Sequence, residues 1–224
     1  MVELHPLLHI EGVPTYVTYS WLAMALLITL SLFVRATLKT IPTGLQNLVE
    51  AVVEAIYNFC KESLGDEWVD TFFPFLGSLV LYILVCNFFG LIPGFEAPTV
   101  NINTTASCAV PVFILTHYYG LKVHKAAYIK HFLGPVRTIY AVPLMVLMFF
   151  IEVVSHIARP LTLSIRLFGN MLAKHYLLSV GLSLMPALLP IAILGLGVMV
   201  SLVQSIVFML LATIYFLGAV EDSH

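Results

Sequence analysis

The sequence predicts an all-α polytopic membrane protein, and three observations carry that assignment. Its 224 residues are 60% hydrophobic and only 10% charged, where soluble domains carry about 25% charged residues. Long apolar stretches without charge recur, each long enough to cross a hydrocarbon core about 30 Å thick. Lys and Arg gather at 35–39 and 122–137, segments that an alternating topology places on one side of the membrane. The chain reads as a single membrane domain over 1–224. It comprises one N-terminal span, an amphipathic surface helix, one helical hairpin and a C-terminal pair of long, strongly tilted helices.

Several classes are excluded at once. A net charge of -2 offers nucleic acid no basic surface. Cys60, Cys86 and Cys108 are odd in number and sit in apolar or amphipathic runs, so they form neither a disulfide framework nor a metal set. The start, MVELHPLLHIEG, lacks the basic opening of a signal peptide. There is no internal repeat of the kind found in secondary transporters. No HExxH, GxSxG or Gly-rich phosphate loop is present to support an intramembrane enzyme. No cofactor and no metal are expected.

The first span is Tyr16 to Val34, 19 residues without charge. Arg35 and Lys39 follow, which places that end inside and the N-terminus outside. Residues 42–65 differ in kind. Leu45, Leu48, Val49, Val52, Val53, Ile56 and Cys60 recur at three- and four-residue steps, while Glu50, Glu54, Asn58 and Lys61 take the other side. This is an amphipathic helix lying on the membrane surface or against another subunit. Thr43 with Gln46 fits a capping box, and Gly65 fits a C-terminal stop. The hairpin occupies 72–121, with spans at 72–93 and 104–121. Its outer link, Gly94 to Asn103, has no Lys or Arg. The loop after it has Lys122, Lys125, Lys130 and Arg137, and belongs inside. His124 and His131, seven apart in that loop, read as solvated residues rather than metal ligands.

The C-terminal pair covers 138–220. Thr138 to His175 is 38 residues, about 57 Å as helix, with Pro160 marking a kink. Ala187 to Gly218 is 32 residues without charge, about 48 Å. Both exceed an upright crossing and must tilt or break. Gly195, Gly197 and Gly218 would admit a close neighbour to the last helix.

Within the first of these helices lies EVVSHIARPLTLSIRLFGNMLAKH, residues 152–175. At about 100° per residue, Glu152, His156, Arg159, Arg166, Asn170 and Lys174 fall in a sector of roughly 80°, with His175 to one side. A charge at the bilayer centre costs about 2.5–3.5 kcal/mol on insertion scales. A stripe maintained at that cost points to an ion path or to a charged partner. It does not suit a passive scaffold. Glu152 and His156, at i and i+4, supply too few ligands for a metal.

SIRLFGN at 164–170, followed by Gln204 in LVQSIVFMLLATIY, resembles subunit a of the F-type ATP synthases, the membrane stator facing a rotating ring of c subunits. NFFGLIPG at 87–94 and APTVNINTT at 97–105 resemble the same family's first hairpin. The resemblance implies a non-catalytic subunit that carries protons through two half-channels, one open to each side and separated by Arg166. On this basis Arg166 matches the arginine that faces the c-subunit carboxylate. Asn170 and Gln204 match polar residues near it, Glu152 an acidic position on the same helix, and Asn103 a polar position in the outer loop. The implied partners are the c ring, b-type peripheral stalk subunits, the soluble ATPase head through the complex, and membrane lipid. The implied setting is an energy-transducing membrane, most simply the bacterial plasma membrane.

The sequence departs from the common bacterial pattern at three places. His175 stands where many relatives carry Glu, Gly197 where a balancing residue is expected, and Asn101 where Asp is frequent. An imidazole, ordinarily titrating near pH 6.5, exchanges protons near neutrality, so His175 is the relay candidate beside Arg166. Arg159, His156, Lys174 and Asn101 are secondary candidates for the path. A guanidinium stays charged, since neutralising one at pH 7 costs about 7–9 kcal/mol. Between two half-channels it repels a proton crossing directly and favours ionisation of an approaching carboxylate.

The topology gives the first test. Single cysteines placed in 122–137 of a Cys-free chain should react with an impermeant reagent from the inner side, and those in 94–103 from the outer side. Reaction of both loops from one side would remove the hairpin.

Overall fold

The computed structural model describes residues 12–42, 44–92, 94–125, 142–185 and 188–220. Within them are six α-helices: α1 Thr15–Ala36, α2 Leu45–Leu64, α3 Val69–Phe89, α4 Ile102–His124, α5 Val142–Leu184 and α6 Leu188–Val220, with a 3-10 turn at Pro98–Val100 before α4. No strand occurs among the described residues. The chain is a multi-pass, all-α membrane protein. Most of the basic loop expected inside, including His131, lies outside the described residues.

Four helices are long and apolar enough to cross a membrane: α1, α3, α5 from Val146, and α6. The fifth expected span, α4, has 23 residues but is not apolar enough to join them by composition. Its polar side chains face protein instead of lipid. Thr104, Thr105 and Thr116 are buried. Thr105 shares a hydrogen bond with Ser164 of α5 at 3.0 Å, and Thr116 donates to the Val112 carbonyl. In lipid, polar groups must be satisfied within the protein, and Thr105 and Thr116 are.

α5 has 43 residues and runs through Pro160 as one helix, nine residues past the expected end at His175. α6 has 33. Their lengths, about 64 and 50 Å, exceed an upright crossing. Pro190 sits in the first turn of α6, where a missing N–H is harmless.

α6 is the centre of the fold. It packs against α2, α3, α4 and α5. The two arms of the hairpin make little contact along their length, because α6 lies between them. They meet through Phe72 and Tyr119, with ring centroids 4.7 Å apart. Phe216 of α6 stacks on Phe72 at 4.5 Å and meets the edge of Phe75. Leu163 and Leu167 of α5 and Cys108 and Val112 of α4 complete this core. Of the three glycines expected to admit a neighbour, only Gly197 does so. A Cβ at Gly195 or Gly218 would meet open space.

α1 is held chiefly at its N-terminal end. Thr15 donates to Glu96 at 2.5 Å, and Tyr19 donates to the Gly94 carbonyl while packing on Phe89 and Phe95. α2 ends as expected at Gly65, whose N–H donates to the Lys61 carbonyl at 2.9 Å and whose φ of 77° favours glycine. Its start differs. Thr43 lies outside the described residues, Gly44 is the N-cap, and Gln46 instead pairs with the backbone N–H and C=O of Lys39. The later turns of α2 bury Cys60 and Leu64 in the core, while Leu45 and Leu48 stay exposed. Cys60 lies 3.8 Å from the Met209 sulfur.

Burial pushes the Cys60 thiol up to about 11. Only the thiolate is nucleophilic, so about 1 in 3,000 of these groups is reactive at pH 7.5. Maleimide should leave Cys60 unmodified in the folded protein, with reactivity rising only as pH approaches 11 or on unfolding. Fast labelling at neutral pH would show that α2 does not rest on α6.

Candidate functional site

The stripe on α5 straddles the edge between the packed and open faces of the helix. His156 and Lys174, on one margin of the sector, are buried. Arg166, on the other margin, is exposed. Glu152 and Arg159 are half-buried, and Asn170 is exposed. One regular helix therefore offers its polar residues both to the interior and to the outer face.

Arg166 occupies the middle of α5, about 36 Å from its start and 27 Å from its end. Among the described residues it makes no hydrogen bond and no ion pair, and its guanidinium lies on the open face. Its backbone is firmly placed. Leu163, Leu167 and Met171 are buried on the packed flank of the helix beside it. Ser164 is joined to Thr105 of α4, and Asn170 donates to Gln204 of α6 at 2.6 Å. Gln204 is itself buried. The structure thus brings Asn170 and Gln204 together one turn from Arg166, as the sequence expected.

Lys174 holds a place that sequence reasoning gave to its neighbour. Its ammonium, only 9% exposed, donates to the Asn87 carbonyl at 3.2 Å and to the Ser201 hydroxyl at 3.4 Å. Gly197 and Gly90 make the room. A Cβ at Gly197 would come 2.8 Å from Leu91 Cδ2 and 3.1 Å from Lys174 Cδ, and one at Gly90 would come 2.8 Å from the Ala97 Cβ. His175 points away, exposed, its ring edge toward Tyr176. The residue that faces Gly197 is therefore Lys174, because one step along a helix turns the side chain by about 100°.

Asn87 opens the NFFGLIPG stretch of the second span. It is fully buried, accepts from Thr99 at 2.8 Å, and its side-chain amide nitrogen has no partner among the described residues. An Asn in an otherwise apolar span was the available signal. Asn101 caps α4, its side chain accepting from the Asn103 N–H at 2.9 Å. Asn103 is exposed and lines a cleft of about 560 Å³ between α1, α3 and α4, with Ser20, Ser78, Thr104 and Ser107.

Toward the other end of α5, His156 Nε2 lies 3.1 Å from Glu152. Its ring meets that of His117 on α4 edge-on, with centroids 5.1 Å apart. Arg159 lies over the Tyr215 ring at 5.4 Å, a cation–π contact. Arg166 thus separates two polar clusters along one helix, about 21 Å from Glu152 and 12 Å from Lys174. No group of three or more His, Cys, Asp or Glu among the described residues is placed to hold a metal.

Comparison with known proteins follows this geometry. The family model described as ATP synthase A chain matches residues 17–217. The chain is 46% identical over 223 residues to ATP synthase subunit a of Trichlorobacter lovleyi, covering 99% of this chain and 94% of that protein. It is 47% identical over 221 residues to the subunit a of a Geobacter species and 44% over 221 to that of Geobacter sulfurreducens, with the same coverage.

The contact at Gly197 predicts a compensating pair. Gly197→Val should lower the thermal stability of the purified protein by about 1–3 kcal/mol through overpacking. Adding Lys174→Ala should recover part of the loss. Gly195→Val, projecting into open space, should leave stability unchanged. Equal effects at both glycines would contradict the close approach.

Proposed function

We propose, for a chain that belongs to the family of ATP synthase A chains, that it is the proton-translocating stator of a rotary F-type ATP synthase. It carries no catalytic site for ATP and works at the interface with a ring of c subunits. The b-type stalk holds it against the soluble head, in a bacterial plasma membrane. Two half-channels deliver and remove protons at the ring carboxylate, and Arg166 stands between them.

The observation that carries this reading is the state of Arg166. A guanidinium lies mid-helix on an open face and finds no counter-charge among the described residues. Exposure to hydrocarbon would be costly, and arginine does not shed its proton. An anionic group outside this chain answers both facts. A carboxylate passing on a rotor is such a group, and the arginine favours its ionised form. The two polar clusters give the reading its sides. Glu152, His156 and Arg159 belong to the half nearer the Lys122 end of α4. Asn170, Gln204, Lys174 and the Asn103 cleft belong to the half nearer the 94–103 link, with Asn101 fixing the start of α4. His175, on the outer face, meets the partner or the water beside it.

Arg166→Ala should abolish ATP-driven pumping and proton-driven synthesis in reconstituted vesicles, with assembly retained by co-purification. It should also open a passive leak. Arg166→Lys should fail in coupled turnover, since an ammonium lacks the planar fork and can lose its proton. Arg159→Ala should be milder, since its guanidinium is already satisfied on Tyr215. His175→Ala should slow proton flow at pH 6–8 without dissociating the complex. Coupled pumping by Arg166→Ala would sink the reading.

A further inference from the structure

His117 enters neither the sequence motif nor the assigned path, yet the fold places it in the same cluster. It stands on α4, one turn and a half before the Lys122–Lys125 end. Its ring lies edge-on to that of His156, with centroids 5.1 Å apart. His156 in turn lies 3.1 Å from Glu152. Three proton-exchanging groups on two helices are thus in sequence. The hydrogen bonds indicate their tautomers. A carbonyl only accepts, so His117 Nδ1, 2.9 Å from the Phe113 carbonyl, carries the hydrogen there, and Nε2 is the nitrogen at which the ring exchanges its second proton. His156 presents Nε2 to a carboxylate, so that nitrogen donates and Nδ1 is the one that can receive.

Beside His117 is a cavity of about 10 Å³, lined also by Thr116, Arg159 and Tyr215 but not by His156. It is close to the volume one water needs. The groups facing the two rings are Glu152 and Arg159 from α5 and Tyr215 from α6. Lys122, the next cation on α4, lies over Tyr119.

We propose that His117 joins His156 and Glu152 as a proton relay between the Lys122 side of the membrane and the region of Arg166. A proton taken at His117 Nε2 passes to His156 Nδ1, directly or over one water. The imidazolium releases its Nε2 proton to the Glu152 carboxylate, leaving both histidines neutral. Return of His156 to its first tautomer completes the cycle, and the reverse order serves the opposite direction of turnover. The proposal rests on the proton-translocating reading above and adds a residue of α4 to the half of the path that holds Glu152, His156 and Arg159, all on α5.

The test uses the whole complex in vesicles, with assembly checked by co-purification. His117→Gln and His156→Gln should each slow ATP-driven pumping by about tenfold or more, and the pair together should be no worse than either alone. The pH profile of pumping between 6 and 8.5 should change shape in each. His117→Asn keeps a donor near the Nδ1 position and so retains the bond to Phe113. It should be as slow as His117→Gln if the ring carries protons, and its recovery of wild-type pumping would assign His117 a structural role and overturn the proposal. Wild-type rates and profile in both Gln variants would also overturn it. Arg166→Ala measured in parallel separates the levels. Pumping retained there removes the stator reading itself, whereas its loss beside wild-type His variants removes the relay alone.

Discussion

A charge that cannot be discharged, held where nothing among the described residues neutralises it, is the constraint on which this structure depends. Arg166 lies at the middle of a 43-residue helix with its guanidinium on the open face. Burying it would require a carboxylate from the same chain, and Glu152, the acid on the stripe, is about 21 Å away along the axis and engaged with His156. The fold leaves the arginine unanswered and fixes its surroundings instead. That is the arrangement needed by a site whose counter-charge arrives from elsewhere and must leave again, since a permanent internal ion pair would compete with the visiting one.

The central position of α6 follows from the same need. An apolar helix gains nothing from lipid by hydrophobic burial, so packing, small residues and hydrogen bonds must hold it. α6 has each of these at a different level. Phe208, Phe216 and Met209 fill the gap between the hairpin arms. Ser201 and Gln204 hydrogen-bond to α5, and Gly197 admits Lys174. Spreading the two arms apart, rather than packing them on each other, lets one helix touch every other element except α1 closely. It also brings the α3 carbonyl of Asn87 within reach of a lysine from α5.

The helices were legible in the sequence because charge-free length and three-to-four spacing are local signals. Arg166, Asn170 and Gln204 were legible because they belong to a distinctive ordered motif. What escaped depended on how helices face one another. His175 and Lys174 differ by one step in sequence but by about 100° in direction, and only packing decides which of them meets Gly197. Which α4 threonine meets another helix was also settled by packing, which brings Thr105 to Ser164 of α5. His117 was visible only as a polar residue inside a span, because its neighbour His156 is thirty-nine residues away in sequence. The glycines misled for a related reason. Three of them permit close approach, and only one is approached.

The placement of Arg166 shows how a flexible side chain is given a defined station in a membrane. Its helix is pinned on both sides of it: at Ser164 by Thr105 of α4 and at Asn170 by Gln204 of α6. Leu167 between those bonds, with Leu163 and Met171 just outside them, locks the buried face. Sliding α5 by one residue would break both hydrogen bonds and withdraw all three side chains from their places, so depth and rotation are set together. Each bond alone is worth only about 0.6 kcal/mol in a membrane, too little to hold a station. Tied to a packed face, the two become a register, and a register is what the proposed meeting of Arg166 with successive rotor carboxylates would require.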